Sequence, residues 1–198
     1  LSFLLIGHNP ERRANRQAAM TALIVTTFGG LAMLGGILVL GASVGSFDAG
    51  DLLAAPPTGT TASVAATLLL VGALSKSAIV PFSFWLPGAM AAPTPVSAFL
   101  HAAAMVKAGI FLVALLSPAF ADDPVWHGAL VALGAATFLW GGWRALRERD
   151  IKLLLAFGTV SQLGLVMLLL GVGTPSATLA AIALTLAHAA FKAALFMV

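Results

Sequence analysis

From Ala18 to Leu40 the chain reads AAMTALIVTTFGGLAMLGGILVL, 23 residues without one charge. At 1.5 Å per residue an α-helix of that length reaches about 34 Å, enough to cross a hydrocarbon core of about 30 Å. Comparable apolar stretches recur at about 62–88, 96–116 and 125–143, then up to about residue 171 and from about 177 onward, with an apolar tail at 1–7. Inside lipid the backbone must satisfy its own hydrogen bonds, so the choices are helices or a closed barrel. No ten-residue alternating pattern appears, which removes the barrel. The fold class is therefore all-α: a polytopic transmembrane helix bundle with one helix tail, five complete spans and one truncated span, forming a single domain over 1–198. Leu1 lies inside an apolar run and FKAALFMV has no polar flank, so the sequence reads as a piece of a longer chain.

Charge tests the partition. Only 9% of residues are charged, against about 25% in soluble domains. Arg12, Arg13 and Arg16 fall in the loop 8–17, and Arg144, Arg147, Arg149 and Lys152 in the loop 144–152. Counting spans puts these two loops on one side of the membrane. Loops of the other parity carry Asp48, Asp51, Asp122 and Asp123 but no Lys or Arg. The excess of basic residues on one side assigns loops 8–17 and 144–152 to the cytoplasm of a cell inner membrane. Basic residues placed this way report orientation, not nucleic-acid binding. With no cysteine there is neither a disulfide nor a thiolate metal site.

Three lysines remain, and all lie inside spans: Lys76, Lys107 and Lys192. Lys76 and Lys107 sit near the middle of their stretches, and Lys192 lies about 22 Å into its own. Comparable depth suggests a row in the membrane plane. A charged lysine at the bilayer centre costs at least about 2.5–3.5 kcal/mol, so such residues face a bundle interior or a hydrated cavity. Low dielectric and a second ammonium both disfavour the charged form in general, so a lysine in such surroundings can pass a proton on and take it back. One such lysine alone is as readily a snorkelling or structural residue. All seven acidic residues map to loops, so any intramembrane carboxylate partner belongs to another segment or another subunit.

His188 stands four residues before Lys192, on the same helix face and about 6 Å away along the axis. His101 stands six before Lys107, about 9 Å along a continuous helix and about 120° around it. A lone histidine on an apolar helix is usually a packing residue; beside lysines both read as relay candidates. His8 and His127 read as loop-edge residues. Pro81 lacks an N–H and clashes with the preceding turn, so the helix should be interrupted about one turn after Lys76. Ser75 and Ser77 would then offer hydroxyls to water in the gap, as in broken transporter helices; the plainer reading is a proline kink. The pairs Gly29/Gly30 and Gly35/Gly36 allow close helix packing. No phosphate loop, metal-ligand spacing or nucleophile triad is present, so neither cofactor nor metal is expected.

KSAIVPFSFWLPGAMAAPTPVSAFLHAAAMVKAGIFL and RDIKLLLAFGTVSQLGLV, followed by LTLAHAAFKAALF, resemble the antiporter-like subunits shared by respiratory complex I and the Mrp multisubunit cation/proton antiporters. SFWLPGAM with the lysine of HAAAMVKAG is most similar to the large A-type Mrp subunits; the large complex I subunit usually has Asp after LP and no lysine in the second place. The resemblance implies a fourteen-helix core of two inverted five-helix repeats, with a hydrated line of Lys, His and Glu along its middle. Lys76 then matches the lysine of the interrupted seventh helix, Lys107 and His101 match eighth-helix positions, and Lys192 with His188 match the eleventh. A partner glutamate is implied a few residues before Leu1.

The expectation is a proton-translocating subunit of a multisubunit Na⁺/H⁺ or similar monovalent cation antiporter, a transporter subunit with other membrane subunits as partners. A proton-pumping complex I subunit, part of a redox-driven translocase, is one alternative. A non-transporting membrane scaffold is the other.

Overall fold

The computed structural model describes residues 2–9, 11–54 and 58–197. It is helical, with no strand among the described residues. In chain order the helices are α1 (Ser2–Ile6), α2 (Arg13–Val44), α3 (Ala49–Ala54), α4 (Gly59–Lys76), α5 (Trp85–Gly88), α6 (Thr94–Ala98), α7 (Lys107–Leu116), α8 (Pro124–Ala145), α9 (Ile151–Val172) and α10 (Pro175–Met197). Among the described residues, six segments are long and apolar enough to cross a membrane: α2, α4, Thr94–Phe120, α8, α9 and α10. Residues 55–57 of the expected loop 41–61 lie outside the described residues; α2 runs on to Val44 and α3 occupies part of that loop.

Local chemistry sets the boundaries. The Asp123 side chain accepts hydrogen bonds from Val125 N (2.8 Å) and Trp126 N (3.3 Å), and Pro124 opens α8. Asp150 accepts from Leu153 N at 3.1 Å and so caps α9. Gly45 (φ 80°) and Gly173 (φ 72°) end α2 and α9 in left-handed conformation. The connection between α8 and α9 thus shrinks to 146–150, with Arg144 and Lys152 on the flanking helices rather than in a free loop.

The two ends of the bundle differ in charge, as the loop partition requires. At one end Lys152 Nζ donates to Ala92 O (3.0 Å), and Gly88 sits beside Ala18 at the start of α2. At the other, Ser63 Oγ at the start of α4 donates to Asp123 Oδ2 (3.4 Å), and α3 packs on the 3₁₀ turn Ser117–Phe120.

Between these ends α2 lies along α4, α4 along α7, and α9 between α8 and α10. Small residues allow the close contacts. A Cβ on Gly36 would meet Leu69 Cγ at 2.8 Å, and one on Gly29 would overlap the Ser75 hydroxyl; Gly30 has nothing within 4 Å and Gly35 only Leu68 at 3.8 Å. One glycine of each pair is therefore the packing residue. In the α8–α9 pair, Gly134, Gly141, Gly164 and Gly171 bring backbone onto backbone; a Cβ on Gly134 would stand 2.6 Å from Leu168 N. The core between the layers holds Leu69, Leu74, Ile79, Leu100, Ile110 and Leu163, whereas Ile24, Phe28 and Leu31 of α2 point outward.

Candidate functional site

The α-helix carrying the first lysine stops at Lys76, five residues ahead of Pro81. Proline disfavours α geometry at the residue before it and repels the carbonyl four residues back. The chain therefore leaves the helix at Ser77. Ala78, fully buried, takes φ +52°, and Ile79 N reaches back to Leu74 O (2.9 Å). The Val80–Pro81 peptide is cis. The interruption expected after Lys76 is present, and from Phe82 to Ala91 the path consists of two 3₁₀ turns with α5 between them.

Protein groups take up much of the backbone that the break releases. Trp85 Nε1 donates to Ser75 O (3.0 Å), and Val80 N donates to Thr137 Oγ1 of α8 (3.0 Å). Ser75 Oγ donates to Gly72 O (2.9 Å) and Ser77 Oγ to Val106 O (2.8 Å). Both hydroxyls are thus engaged with carbonyls. Trp85 and Thr137 are contributions that sequence reasoning missed. A tryptophan four residues after the proline was a usable signal; nothing marked Thr137, which reaches the break from 57 residues away.

A second break was not expected at all. The stretch 96–116 is not one helix: after α6, Phe99–Ala103 forms a π-helical turn closed by Ala104 N to Phe99 O (3.2 Å). Ala104 then departs to φ −129° and ψ −60°, and α7 starts at Lys107. π turns admit an extra residue per turn and often accompany functional sites. The separation and rotation expected between His101 and Lys107 presume a continuous helix, so they do not apply. The two breaks touch through the Ser77–Val106 hydrogen bond and through Gly109, whose missing side chain makes room for Ala73 O and Ser77 Oγ.

Helix polarity treats the two lysines oppositely. Lys76 ends α4, where the macrodipole is negative, whereas Lys107 opens α7, where it is positive. Lys76 is half-buried beside a cavity of about 350 Å³ that it lines with Ser2, Phe99, Leu100 and Ala104. Measured by helical rise from the acidic end, Lys76 and Lys192 lie at about 26 Å, and Lys107 and His188 at about 20 Å.

On α10 a single stripe is buried: Ala181, His188, Lys192 and Phe196. Lys192 is 5% exposed, and its Nζ donates to Leu155 O of α9 at 2.8 Å. Gly158 leaves room for it, since a Cβ there would stand 3.1 Å from Nζ. His188 lies within electrostatic reach of Lys107 and Lys192, and His101 within reach of Lys192, His188 and Lys152. His101 also stacks at a tilt on Phe196, with centroids 5.6 Å apart. The structure therefore groups Lys107, His188, Lys192 and His101, extends the group toward Lys152, and leaves Lys76 on a cavity that it shares with Phe99 and Leu100 of the π turn. Both ring nitrogens of His101, Lys107 Nζ and His188 Nε2 are buried without a protein hydrogen-bond partner among the described residues. Buried polar atoms of this kind call for partners from water or another chain.

Comparison with known proteins gives a consistent result. The family described as NADH:quinone oxidoreductase/Mrp antiporter, transmembrane, matches residues 1–198. The chain is 44% identical over 99% of its length to the A-type subunit of a Na(+)/H(+) antiporter from Alkalihalophilus pseudofirmus, covering 26% of that protein. It is 46% identical over its whole length to the A/B-type subunit of a probable K(+)/H(+) antiporter from Rhizobium meliloti, covering 20% of it. Among solved structures, a chain of the Mrp complex from Dietzia sp. DQ12-45-1b superposes with TM-score 0.94 at 44% identity, over 99% of this chain and 22% of that one. A chain of respiratory complex I from Thermus thermophilus superposes with TM-score 0.87 at 26% identity, over 99% and 43%. The present chain thus spans about a quarter of the curated relatives it matches.

Proposed function

Because this chain belongs to the NADH:quinone oxidoreductase/Mrp antiporter transmembrane family, we propose that it is part of a proton-translocating subunit of a multisubunit monovalent cation/proton antiporter. Protons move inward while Na⁺ or a similar cation is exported. The protein works beside other membrane subunits in a cell inner membrane, with the basic ends of its spans in the cytoplasm. The observation that carries this reading is the group of buried His101, His188 and Lys192 with half-buried Lys107, in which the His101 ring nitrogens, Lys107 Nζ and His188 Nε2 are buried without a protein partner among the described residues.

In the proposed step, waters join these nitrogens into a line. An ammonium of Lys76 gives up its proton when a carboxylate supplied by another segment moves away, and the proton passes by way of the π turn to Lys107 or His101 and on to His188 and Lys192. Higher identity to the Mrp-type relatives than to the complex I chain supports cation exchange over redox-driven pumping.

The test uses everted vesicles holding the full-length protein with its partner subunits, and a pH gradient followed by a fluorescent dye. Addition of Na⁺ or K⁺ should collapse the gradient, and Lys76→Ala and Lys192→Met should abolish the collapse while assembly is retained. No response to either cation in assembled wild-type complexes would transfer the proposal to the complex I type. Variants that lose assembly before they lose flux would point to a scaffold.

A further inference from the structure

The two most exposed large apolar side chains in the described residues, Leu146 (87%) and Ile151 (74%), flank one short turn at the basic end of α8 and α9. Between them stand Arg147 and Arg149, both exposed and neither paired with a carboxylate among the described residues. The neighbouring Arg144 is already matched by Glu148 at 3.0 Å. The Arg147 guanidinium lies 4.0 Å over the Trp143 ring, and Trp143 and Trp140 face outward one and two turns deeper.

Depth gives this arrangement its meaning. α8 and α9 contain 22 residues each, about 33 Å of helix, so the turn that joins them falls in the headgroup layer. Aromatic rings belong at that boundary, apolar tips reach the acyl chains, and guanidiniums bind phosphate in forked geometry. A water-facing turn would gain nothing from Leu146 and Ile151, and no carboxylate among the described residues offsets Arg147 or Arg149. Positive charge and apolar surface together complement one occupant.

We propose that the 146–151 turn is a docking site for anionic phospholipid of the leaflet at the basic end, with its phosphate between Arg147 and Arg149 and its acyl chain beside Leu146 and Ile151. Two surface arginines at about 5.4-fold each give roughly thirtyfold preference for an anionic over a zwitterionic headgroup.

The test is native mass spectrometry of the full-length protein in its assembled complex, titrated with phosphatidylglycerol or phosphatidylcholine of matched chains. Wild type should retain phosphatidylglycerol preferentially, and Arg147→Gln/Arg149→Gln should weaken its retention about thirtyfold. Arg12→Gln/Arg13→Gln, which removes the same charge elsewhere, should change it little. Equal retention of the two lipids, or equal loss in the two double variants, would overturn the site. A photo-crosslinking benzoylphenylalanine in place of Leu146 gives a readout in otherwise unaltered protein. A lipid adduct supports the proposal; an adduct to another subunit or another segment overturns it.

Discussion

Gly29 and Gly30 are adjacent in α2 and share one sequence environment, yet an added methyl group should act on them in opposite directions. A Cβ at Gly30 meets nothing within 4 Å, so Gly30→Ala gains helix propensity of about 1 kcal/mol and loses no packing. A Cβ at Gly29 overlaps Ser75 Oγ and stands 2.6 Å from Ser75 Cβ, where ordinary contact starts at 3.4 Å. If the hydroxyl rotates away it gives up Gly72 O, its acceptor at 2.9 Å, and the Cβ contact still requires the helices to separate by nearly 1 Å. Overpacking of this kind costs about 1–3 kcal/mol, offsetting the propensity gain or exceeding it. The displaced residue directly precedes Lys76, and its carbonyl holds Trp85. Gly29→Ala should thus lower the thermal midpoint of the purified complex relative to Gly30→Ala and cut cation-driven gradient collapse in everted vesicles, while Gly30→Ala keeps wild-type transport. Equal midpoints and equal transport in the two variants would show that α2 and α4 do not pack in this register.

Trp85→Phe keeps the ring but removes the donor to Ser75 O, which should cost about 1–2 kcal/mol and show as a lowered unfolding midpoint. Thr137→Val removes the acceptor of Val80 N at nearly constant volume, so destabilisation of about 1–3 kcal/mol is expected, whereas Thr137→Ser should retain the contact. Gly158→Ala brings a methyl group to 3.1 Å from Lys192 Nζ; transport should fall with little change in assembly, and unchanged transport would show that Lys192 tolerates displacement from Leu155 O. Lys107→Gln keeps a polar side chain without the ammonium and should reduce flux severalfold in assembled complexes, measured by the same dye assay.

The all-helical class, with long apolar segments crossing a membrane, was legible because lipid leaves a backbone few options and charges collect at the ends. Lys76 and its nearby helix break could be read from Pro81, since a missing N–H acts on residues a few places away. The break at Ala104–Val106 could not: FLHAAAMV contains neither proline nor glycine, and the π turn packs against α10, a partner that sequence alone does not place. Proximity of His101 to Lys192 was equally hidden, because residues from two helices meet only when both are placed. Lys152 illustrates the reverse case. Counted as a loop charge, it lies in the first turn of α9 and spends its ammonium on Ala92 O. The glycine pairs announced tight contacts, but only the third dimension says which member of each pair faces the neighbour.

Lys192 holds α10 to α9 through a hydrogen bond to a main-chain oxygen rather than through an ion pair. An ammonium has three N–H bonds and a neutral amine still has two, so the same contact survives whether or not the side chain carries its proton. A salt bridge in that position would make and break with each turnover and tug the helices with it. A main-chain acceptor is indifferent to protonation, so under the proposed relay this seam would stand still while protons pass, and the motion that couples the exchange would arise at a different joint.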